Sequence, residues 1–173
     1  MGIGHFGAGL AVKHLAPQVS LGVLFLAAEL IDILWIVFAL AGIEAMGSSP
    51  WSHGLFMAVV WSMAAALIAG IFYRSRRAAA LIGAVVFSHW VLDFISHPMG
   101  ALGIGSQPDL PLFFAGSLRV GLGLYNTVPG VIVGELGMIL LGLAFYIPFR
   151  NQRLSTGAPG QARGQGSQKQ KER

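Results

Sequence analysis

The sequence predicts an all-α fold, a polytopic membrane helix bundle, and three observations lead to this fold class. Apolar residues, counting Cys and the aromatic residues, make up 55% of the 173 residues, whereas charged residues make up only 10%. A soluble domain carries about 25% charged residues, and a chain this short cannot hide so much apolar surface from water. The mean hydropathy is +0.70. These values exclude an ordinary cytosolic enzyme, and the lack of cysteine excludes disulfides and thiolate metal ligands.

Four long apolar runs are the third observation. Each is close to the roughly 20 residues that a helix needs to cross the hydrocarbon core of a membrane. Backbone polar groups have no water to bond there, so we predict that all four runs are helices. They cover residues 20–43, 54–73, 78–96 and 130–149.

A shorter apolar segment rich in glycine precedes the first run, over residues 2–15. As a helix it would span about 21 Å, at 1.5 Å per residue, which falls short of the roughly 30 Å hydrocarbon core. This length would carry His5 past the middle of the membrane while Lys13 stays at the basic surface. Small residues would let the segment pack tightly. We therefore predict a short, buried first helix and a five-helix bundle.

We expect one transmembrane domain over residues 1–149 and a disordered basic tail over 150–173. The tail consists mainly of Gly, Gln, Ser, Lys and Arg, a composition that cannot form a packed core. Six of the eleven basic residues lie in it, so the net charge of +4 reflects the tail rather than a surface for nucleic acid. No nucleic-acid partner is predicted, and the expected partner is the lipid bilayer.

The basic residues also predict how the helices are oriented. Arginines occupy three of the four positions in 74–77 and recur in the tail, whereas the 44–53 loop has no basic residue and the 98–129 loop has only Arg119. Loops rich in Lys and Arg stay in the cytoplasm. We therefore expect 74–77 and the C-terminus to be cytoplasmic, and the other two loops to face outward.

Ionisable residues are rare in this chain, and most of them fall inside the predicted spans. Such residues are costly in a membrane and usually face the interior of the bundle or a cavity. Glu29 and Asp32 are three residues apart in the first span, so they share one helix face. His89, Asp93 and His97 follow one another in steps of four along the third span and also share a face.

These side chains are expected to converge in the outer half of the bundle, together with His5 and with His53 at the start of the second span. Histidine nitrogens and carboxylate oxygens without thiolates suit zinc, with manganese and iron as alternatives. We predict a divalent metal site, and a buried polar network, a proton path and separate packing roles remain the alternatives. The predicted ligands are His5, Asp32, His53, His89, Asp93 and His97.

Other polar residues are predicted to act beside the metal or to be solvated. Glu29 is the candidate catalytic residue, as a general base. Arg119 is the candidate substrate-binding residue, because its guanidinium could hold a phosphate; contact with a lipid headgroup is its alternative role. Glu44, at a helix end, is expected to be solvated.

The order of these residues resembles a bacterial inner-membrane family described as metal-dependent hydrolases, the LexA-binding, inner-membrane-associated group. That family has an early His, an acidic stretch in the first span, a Thr-His-Ser-Leu stretch and a His-x-x-x-Asp motif. Here His5, Asp32, Ser52-His53-Gly54-Leu55 and His89-Trp-Val-Leu-Asp93 occupy these places. The sequence departs from the family at Glu29-Leu-Ile-Asp32, which no histidine follows, and at Ser52, which replaces Thr.

The resemblance implies an inner-membrane protein that hydrolyses a phosphoester or a lipid-like ester with a bound metal. The stretches Asp109-Leu-Pro-Leu and Gly121-Leu-Gly-Leu-Tyr125-Asn126 resemble a subgroup of bacterial membrane proteins sometimes labelled permeases. A permease that passes protons or metal ions is therefore the rival hypothesis, and so few spans would require it to form a homo-oligomer. An accessory membrane subunit is the third. A cavity that links Glu135 to the arginines of 74–77 would favour transport.

Overall fold

The computed structural model describes residues 2–45, 49–105 and 107–156 and is mostly helical, as predicted. Six α-helices follow a short 3₁₀ turn at Ile3–His5. Their bounds are α1 Phe6–Val12, α2 Leu21–Ala28, α3 Leu30–Leu40, α4 Leu55–Tyr73, α5 Arg76–Ser96 and α6 Val128–Thr156.

Three of these helices, α4, α5 and α6, are long and apolar enough to cross a membrane. The first predicted span differs from the prediction, because it is divided into α2 and α3, which meet at an angle of 53°. Ser20 begins α2 as its N-cap, accepting a hydrogen bond from Val23 N. Glu29 lies at the bend between the two helices, with backbone angles outside the helical range.

Helices α4 and α5 pack against each other in a tight antiparallel hairpin. The turn is short because Arg74 adopts a left-handed conformation and Ser75 caps α5 by accepting a hydrogen bond from Ala78 N. Midway along the pair, a Cβ added at Gly83 would lie 3.0 Å from the carbonyl oxygen of Ser62. Glycine therefore lets the two backbones approach closely. The buried face of α5 forms much of the core.

The short α1 packs mainly against α6, as the glycines in its sequence predict. A Cβ added at Gly7 would overlap the carbonyl oxygen of Met138, so the two helices touch backbone to backbone. At the end of α1, Lys13 donates hydrogen bonds to the carbonyl oxygens of Pro17 and Val19. Burial lowers the pKa of Lys13, and the nearby charge of Arg153 lowers it further. The end of α1 thus lies beside the basic end of α6.

Two smaller features depart from the predicted pattern. The 98–129 loop, called the outer loop after its predicted side, contains a two-stranded antiparallel pairing of β1, Leu110–Pro111, with β2, Arg119–Val120, which the all-α prediction did not include. Helix α6 continues to Thr156, seven residues beyond the predicted end of the span at 149. Arg153 lies over the ring of Phe149, 5.1 Å from its centroid, and this contact favours continuation of the helix. The rest of the predicted tail, 157–173, lies outside the described residues.

A candidate metal centre

Five of the predicted ligands come together in one buried cluster, which we call the His/Asp cluster. Helix α5 contributes two of them one turn apart, and the others come from α3, from the turn before α4 and from the 3₁₀ turn before α1. All five residues are less than 10% exposed. The members of the cluster are His5, Asp32, His53, His89 and Asp93.

The prediction that the N-terminal segment carries His5 to the other ligands is confirmed. His5 Nε2 lies 3.3 Å from Asp93 Oδ1, and the His5 ring stacks on the His89 ring with their centroids 4.1 Å apart. On the other side of Asp93, its Oδ2 lies 3.4 Å from His53 Nε2 and 3.3 Å from His89 Nε2. Asp93 therefore lies between all three histidines.

Asp32 completes the cluster from α3. Its Oδ1 lies 3.3 Å from His53 Nε2 and 3.8 Å from His89 Nε2. The ligand atoms form two groups, in each of which they lie within 4.8 Å of one another: His5, His89 and Asp93 make one group, and Asp32, His53 and His89 make the other. His89 belongs to both groups and lies at the centre of the cluster.

Each histidine is held through its Nδ1 atom, which leaves Nε2 facing the cluster. Nδ1 of His89 lies 2.6 Å from the carbonyl oxygen of Ala28, just before the bend between α2 and α3. Nδ1 of His5 lies 3.2 Å from the carbonyl oxygen of Gly2. A carbonyl oxygen only accepts hydrogen bonds, so in both rings Nδ1 carries a proton, and Nε2 provides the lone pair when the ring is neutral.

A chain of hydrogen bonds imposes the same tautomer on His53. Ser52 Oγ donates to Glu44 Oε2 at 2.6 Å, so Oγ is left to accept from His53 Nδ1 at 2.8 Å. Glu44 Oε1 is itself fixed by the backbone N–H groups of Trp51 and Ser52, at 2.6 and 3.0 Å. Bonds of this kind to the outer nitrogen of a histidine are typical of metal ligands.

Glu44 was predicted to be solvated, and this prediction is wrong: the residue is 7% exposed. It lies beyond the end of α3 and contacts Trp51 and Ser52 in the turn before α4. The only signal in the sequence is an acidic residue close to a Trp-Ser-His stretch. That signal does not show which way the loop folds.

The cluster fits a metal ion better than it fits a network of direct hydrogen bonds. Its nitrogen–oxygen separations of 3.3–3.8 Å exceed the 2.7–3.2 Å of a direct N–H···O bond. Ligands at about 2.1 Å around a tetrahedral ion lie about 3.4 Å from one another. Among the described residues, His5 Nε2, His89 Nε2 and Asp93 Oδ2 are buried without a hydrogen-bond partner. Such atoms are costly unless something binds them.

The two groups share His89 and form one candidate site. Nδ1 of His89 is bonded to the carbonyl oxygen of Ala28, so Nε2 is the nitrogen that faces the cluster. The carboxylates of Asp32 and Asp93 would balance the two positive charges of one divalent ion.

The structure does not bring His97, the sixth predicted ligand, into either group. Helix α5 ends at Ser96, and His97 is extended, with φ −73° and ψ 146°. A residue before proline is driven out of the helical region, and Pro98 follows. The four-residue spacing from Asp93 therefore no longer places His97 on the helix face. Instead, its Nδ1 donates to Asp109 Oδ1 at 2.9 Å.

Glu29 and Arg119, the predicted base and the predicted phosphate-binding residue, are placed differently. Glu29 is half-buried at the bend, and it interacts electrostatically with His5, Asp32 and His89. Its Oε1 is buried and, among the described residues, lacks a hydrogen-bond partner. Arg119 is exposed on β2 in the outer loop.

Glu135 on α6 supports the His5 side of the cluster. Its Oε2 accepts a hydrogen bond from Gly4 N, and its Oε1 accepts one from the Tyr125 hydroxyl, both at 2.7 Å. Burial raises the pKa of Tyr125, and the bond to Glu135 raises it further. A cavity of about 340 Å³ touches both Glu135 and His5.

Packed apolar side chains close the cluster on the side toward the arginines of 74–77. Val85 and Val86 lie one turn from His89 on that side, and both are at most 1% exposed. Leu24 and Ile31 are fully buried in the same core. The cavity beside Glu135 is lined by residues of the N-terminal turn, the C-terminal half of α5, the 98–129 loop and α6, and not by the arginines of 74–77.

Comparison of the chain with protein-family models, curated proteins and solved structures gives no match.

Proposed function

We propose that this chain is an integral membrane protein that holds one divalent metal ion, zinc before manganese or iron, in the His/Asp cluster and uses it to hydrolyse an ester. The observation that carries the proposal is the shared orientation of the three histidines. All three direct Nε2 at Asp93, and His53 and His89 also face Asp32, while Nδ1 is bonded elsewhere. In their neutral form the three rings present inward lone pairs, as a metal-ligand set requires.

The fold supports the proposal by placing the ligands on rigid elements. His89 and Asp93 are one turn apart on α5, the most buried of the long helices. His53 is locked by Ser52 and Glu44, and His89 by the carbonyl of Ala28. When bound, a divalent ion supplies a coordinated water of lowered pKa and polarises an ester oxygen.

In this proposal Glu29 is the general base. Its Oε1 is buried beside the cluster and is the atom that would accept a proton from an attacking water. The position at a helix bend suits this role, because irregular backbone in a membrane is tolerated where it lines a functional site. A Glu29→Gln variant should keep the metal and lose hydrolysis. Loss of the metal in this variant would assign Glu29 to the ligand set instead.

Elemental analysis of the purified protein tests the metal directly. We expect about one zinc, manganese or iron ion per chain, removable by a chelator and restored by adding the metal back. A folded protein that contains no metal and takes up none would overturn the proposal.

Transport of protons or metal ions is the second candidate function, because the cavity beside Glu135 touches His5, but this cavity does not extend to the arginines of 74–77 that would complete a path. That cavity reaches His5 from a side other than the one on which His53 lies. The packed core below His89 argues for a closed, outward-facing site instead. Metal uptake into vesicles containing the protein, absent in an Asp93→Asn variant, would favour transport.

We further propose that the α2–α3 pair forms a fourth span, and that the protein lies in a bacterial inner membrane with a cytoplasmic C-terminus. The support is the position of the basic residues in 74–77 and at the end of α6, together with the resemblance described above. The chain has no cysteine, so single cysteines report cleanly. In intact cells an impermeant thiol reagent should label Ala115→Cys and not Ser155→Cys. The reverse pattern would show that the protein has the opposite orientation in the membrane.

A further inference from the structure

A second feature of the outer half is an apolar cavity that opens onto the His/Asp cluster. Its volume is about 310 Å³, at the small end of the roughly 300–1,000 Å³ range of ligand pockets. Asp32 and His53 of the cluster form part of its lining, so a molecule in the cavity would touch the proposed metal centre. Most of the remaining lining is apolar: Trp35, Met99, Leu102, Ile104, Leu110 and Pro111.

Away from the cluster, the polar part of the cavity wall consists of Ser49 and the pair of His97 and Asp109. The hydrogen bond between them fixes the ring of His97, and both side chains are about 15% exposed. The pair comes from the end of α5 and the start of the outer loop, so it faces the cavity from a different element than Asp32 and His53 do. The cavity therefore offers hydrogen-bonding groups at two separate places on an apolar surface.

The charges around the cavity select against an anionic ligand. The described residues that line it include two carboxylates and no lysine or arginine. Proteins bind phosphate through such cations, most effectively through the forked donors of arginine. Arg119, which the sequence suggested for this purpose, is exposed on β2 and does not line the cavity.

The centre itself adds little net positive charge. One divalent ion would be balanced by Asp32 and Asp93, which leaves no excess charge for a phosphate dianion. Asp109 adds a further carboxylate to the wall. An uncharged carbonyl compound is not repelled by these carboxylates and needs no excess positive charge at the centre. Its apolar part matches the apolar walls of the cavity.

We infer that this cavity is the substrate site and that it takes an uncharged carboxylic ester or amide with a small apolar group, not a phosphoester. The reaction at the site rests on the proposed function, but binding in the cavity does not. The apolar group lies against Trp35, Leu102 and Ile104, and the carbonyl end reaches the side of the cavity formed by Asp32 and His53. His97 is the wall residue able to contact the polar end of the ligand.

Binding is measured first, on protein freed of metal by a chelator. The probe is 4-nitrophenyl hexyl ether, an uncharged compound that cannot be hydrolysed and that quenches tryptophan fluorescence. We expect saturable quenching, and we expect its saturable part to disappear in Trp35→Phe. The charged probe 4-nitrophenyl phosphate should give no saturable quenching.

A matched pair of variants locates the binding. Leu102 lines the cavity and Leu118 does not, and both are exposed residues of the outer loop. Leu102→Asp should weaken binding of the ether by about tenfold or more, because it places a charge in the apolar wall. Leu118→Asp should bind as the unaltered protein does. Equal effects of both changes, no saturable binding of the ether, or tighter binding of the phosphate would each overturn the inference.

Activity of the metal-loaded protein separates this inference from the proposed function. Hydrolysis of 4-nitrophenyl hexanoate, with a raised KM in Leu102→Asp, supports both. Hydrolysis of bis(4-nitrophenyl) phosphate alone would support a hydrolase and overturn the substrate class. Cavity binding of the ether in a protein that takes up no metal would support the cavity and overturn the metal centre.

Discussion

The two histidines at the edges of the His/Asp cluster are held in contrasting ways. His53 is fixed by a charged chain, in which Glu44 holds Ser52 and Ser52 holds the ring at 2.8 Å. His5 has only the carbonyl of Gly2, at 3.2 Å, and gains its position by stacking on His89. One ring is therefore oriented by strong hydrogen bonds and the other by packing.

The two sides of the cluster also differ in how an acidic residue stabilises them. Burying Glu44 is expensive unless its carboxylate is fully bonded, and three hydrogen bonds from Trp51 and Ser52 meet that need. The His5 side has its own acid, Glu135, but that acid accepts a hydrogen bond from the backbone N–H of Gly4 and does not bond to the His5 ring. Glu44 therefore acts on the ligand, whereas Glu135 acts on the segment that carries the ligand.

The largest effect on metal binding should come from the residues that contact both His5 and His53. His89→Ala and Asp93→Asn each remove a ligand from the middle of the cluster, and each should abolish stoichiometric metal binding. Elemental analysis after purification in the presence of zinc measures this.

The control for this experiment is His97→Ala on the same stretch of chain. By sequence spacing His97 belongs with His89 and Asp93, but the structure turns it toward Asp109. The variant should retain its metal. Loss of the metal in His97→Ala would restore the sequence-based ligand set and remove the distinction between cluster and cavity wall.

The next largest effect on metal affinity compares the His53 side of the cluster with the His5 side. His53→Ala should lower metal affinity more than His5→Ala, because His53 faces both carboxylates and its ring is the better oriented. Competition with a zinc-chelating dye gives both dissociation constants. A greater loss in His5→Ala would show that stacking holds a ligand better than the hydrogen-bonded chain does.

Glu44→Gln should have a smaller effect that leaves all ligands in place. The change removes the charge that accepts from Ser52, so it weakens the bond that fixes the tautomer of His53. Loss of such an outer partner typically costs about 10–100-fold in metal affinity. Unchanged affinity together with lowered thermal stability of the metal-free protein would show that Glu44 is purely structural.

How far the sequence predicted this centre depends on where each residue lies. His89 and Asp93 were predictable because both lie within one unbroken helix, where a spacing of four fixes a common face. His5 was predictable because a helix of known rise has a known reach. The same reasoning failed for His97, since Pro98 ends the helix first.

The rest of the fold depends on contacts between distant parts of the chain. The bend at Glu29 is not marked by Pro or Gly, and its effect, a carbonyl directed at His89, requires α5 to be in place. Glu44 reaches Ser52 only because the loop folds back. Spacing rules describe regular helices, and these features lie where a helix ends or breaks.

The smallest effect we predict is that of Glu135→Gln. A glutamine can still accept from Gly4 N through its amide oxygen, and its amide nitrogen can donate to the Tyr125 hydroxyl oxygen, so the N-terminal turn should stay in place. The ring of His5 should stay stacked on His89, and metal affinity should fall by less than the roughly tenfold lower limit for loss of a direct outer partner. Glu135→Leu keeps the bulk and removes both acceptors, leaving Gly4 N and the Tyr125 hydroxyl without a partner. That variant should release the turn and lower metal affinity to the level of His5→Ala. Equal affinities in the two Glu135 variants would mean that stacking alone positions His5, whereas a large loss already in Glu135→Gln would mean that the charge of Glu135 acts on the metal itself.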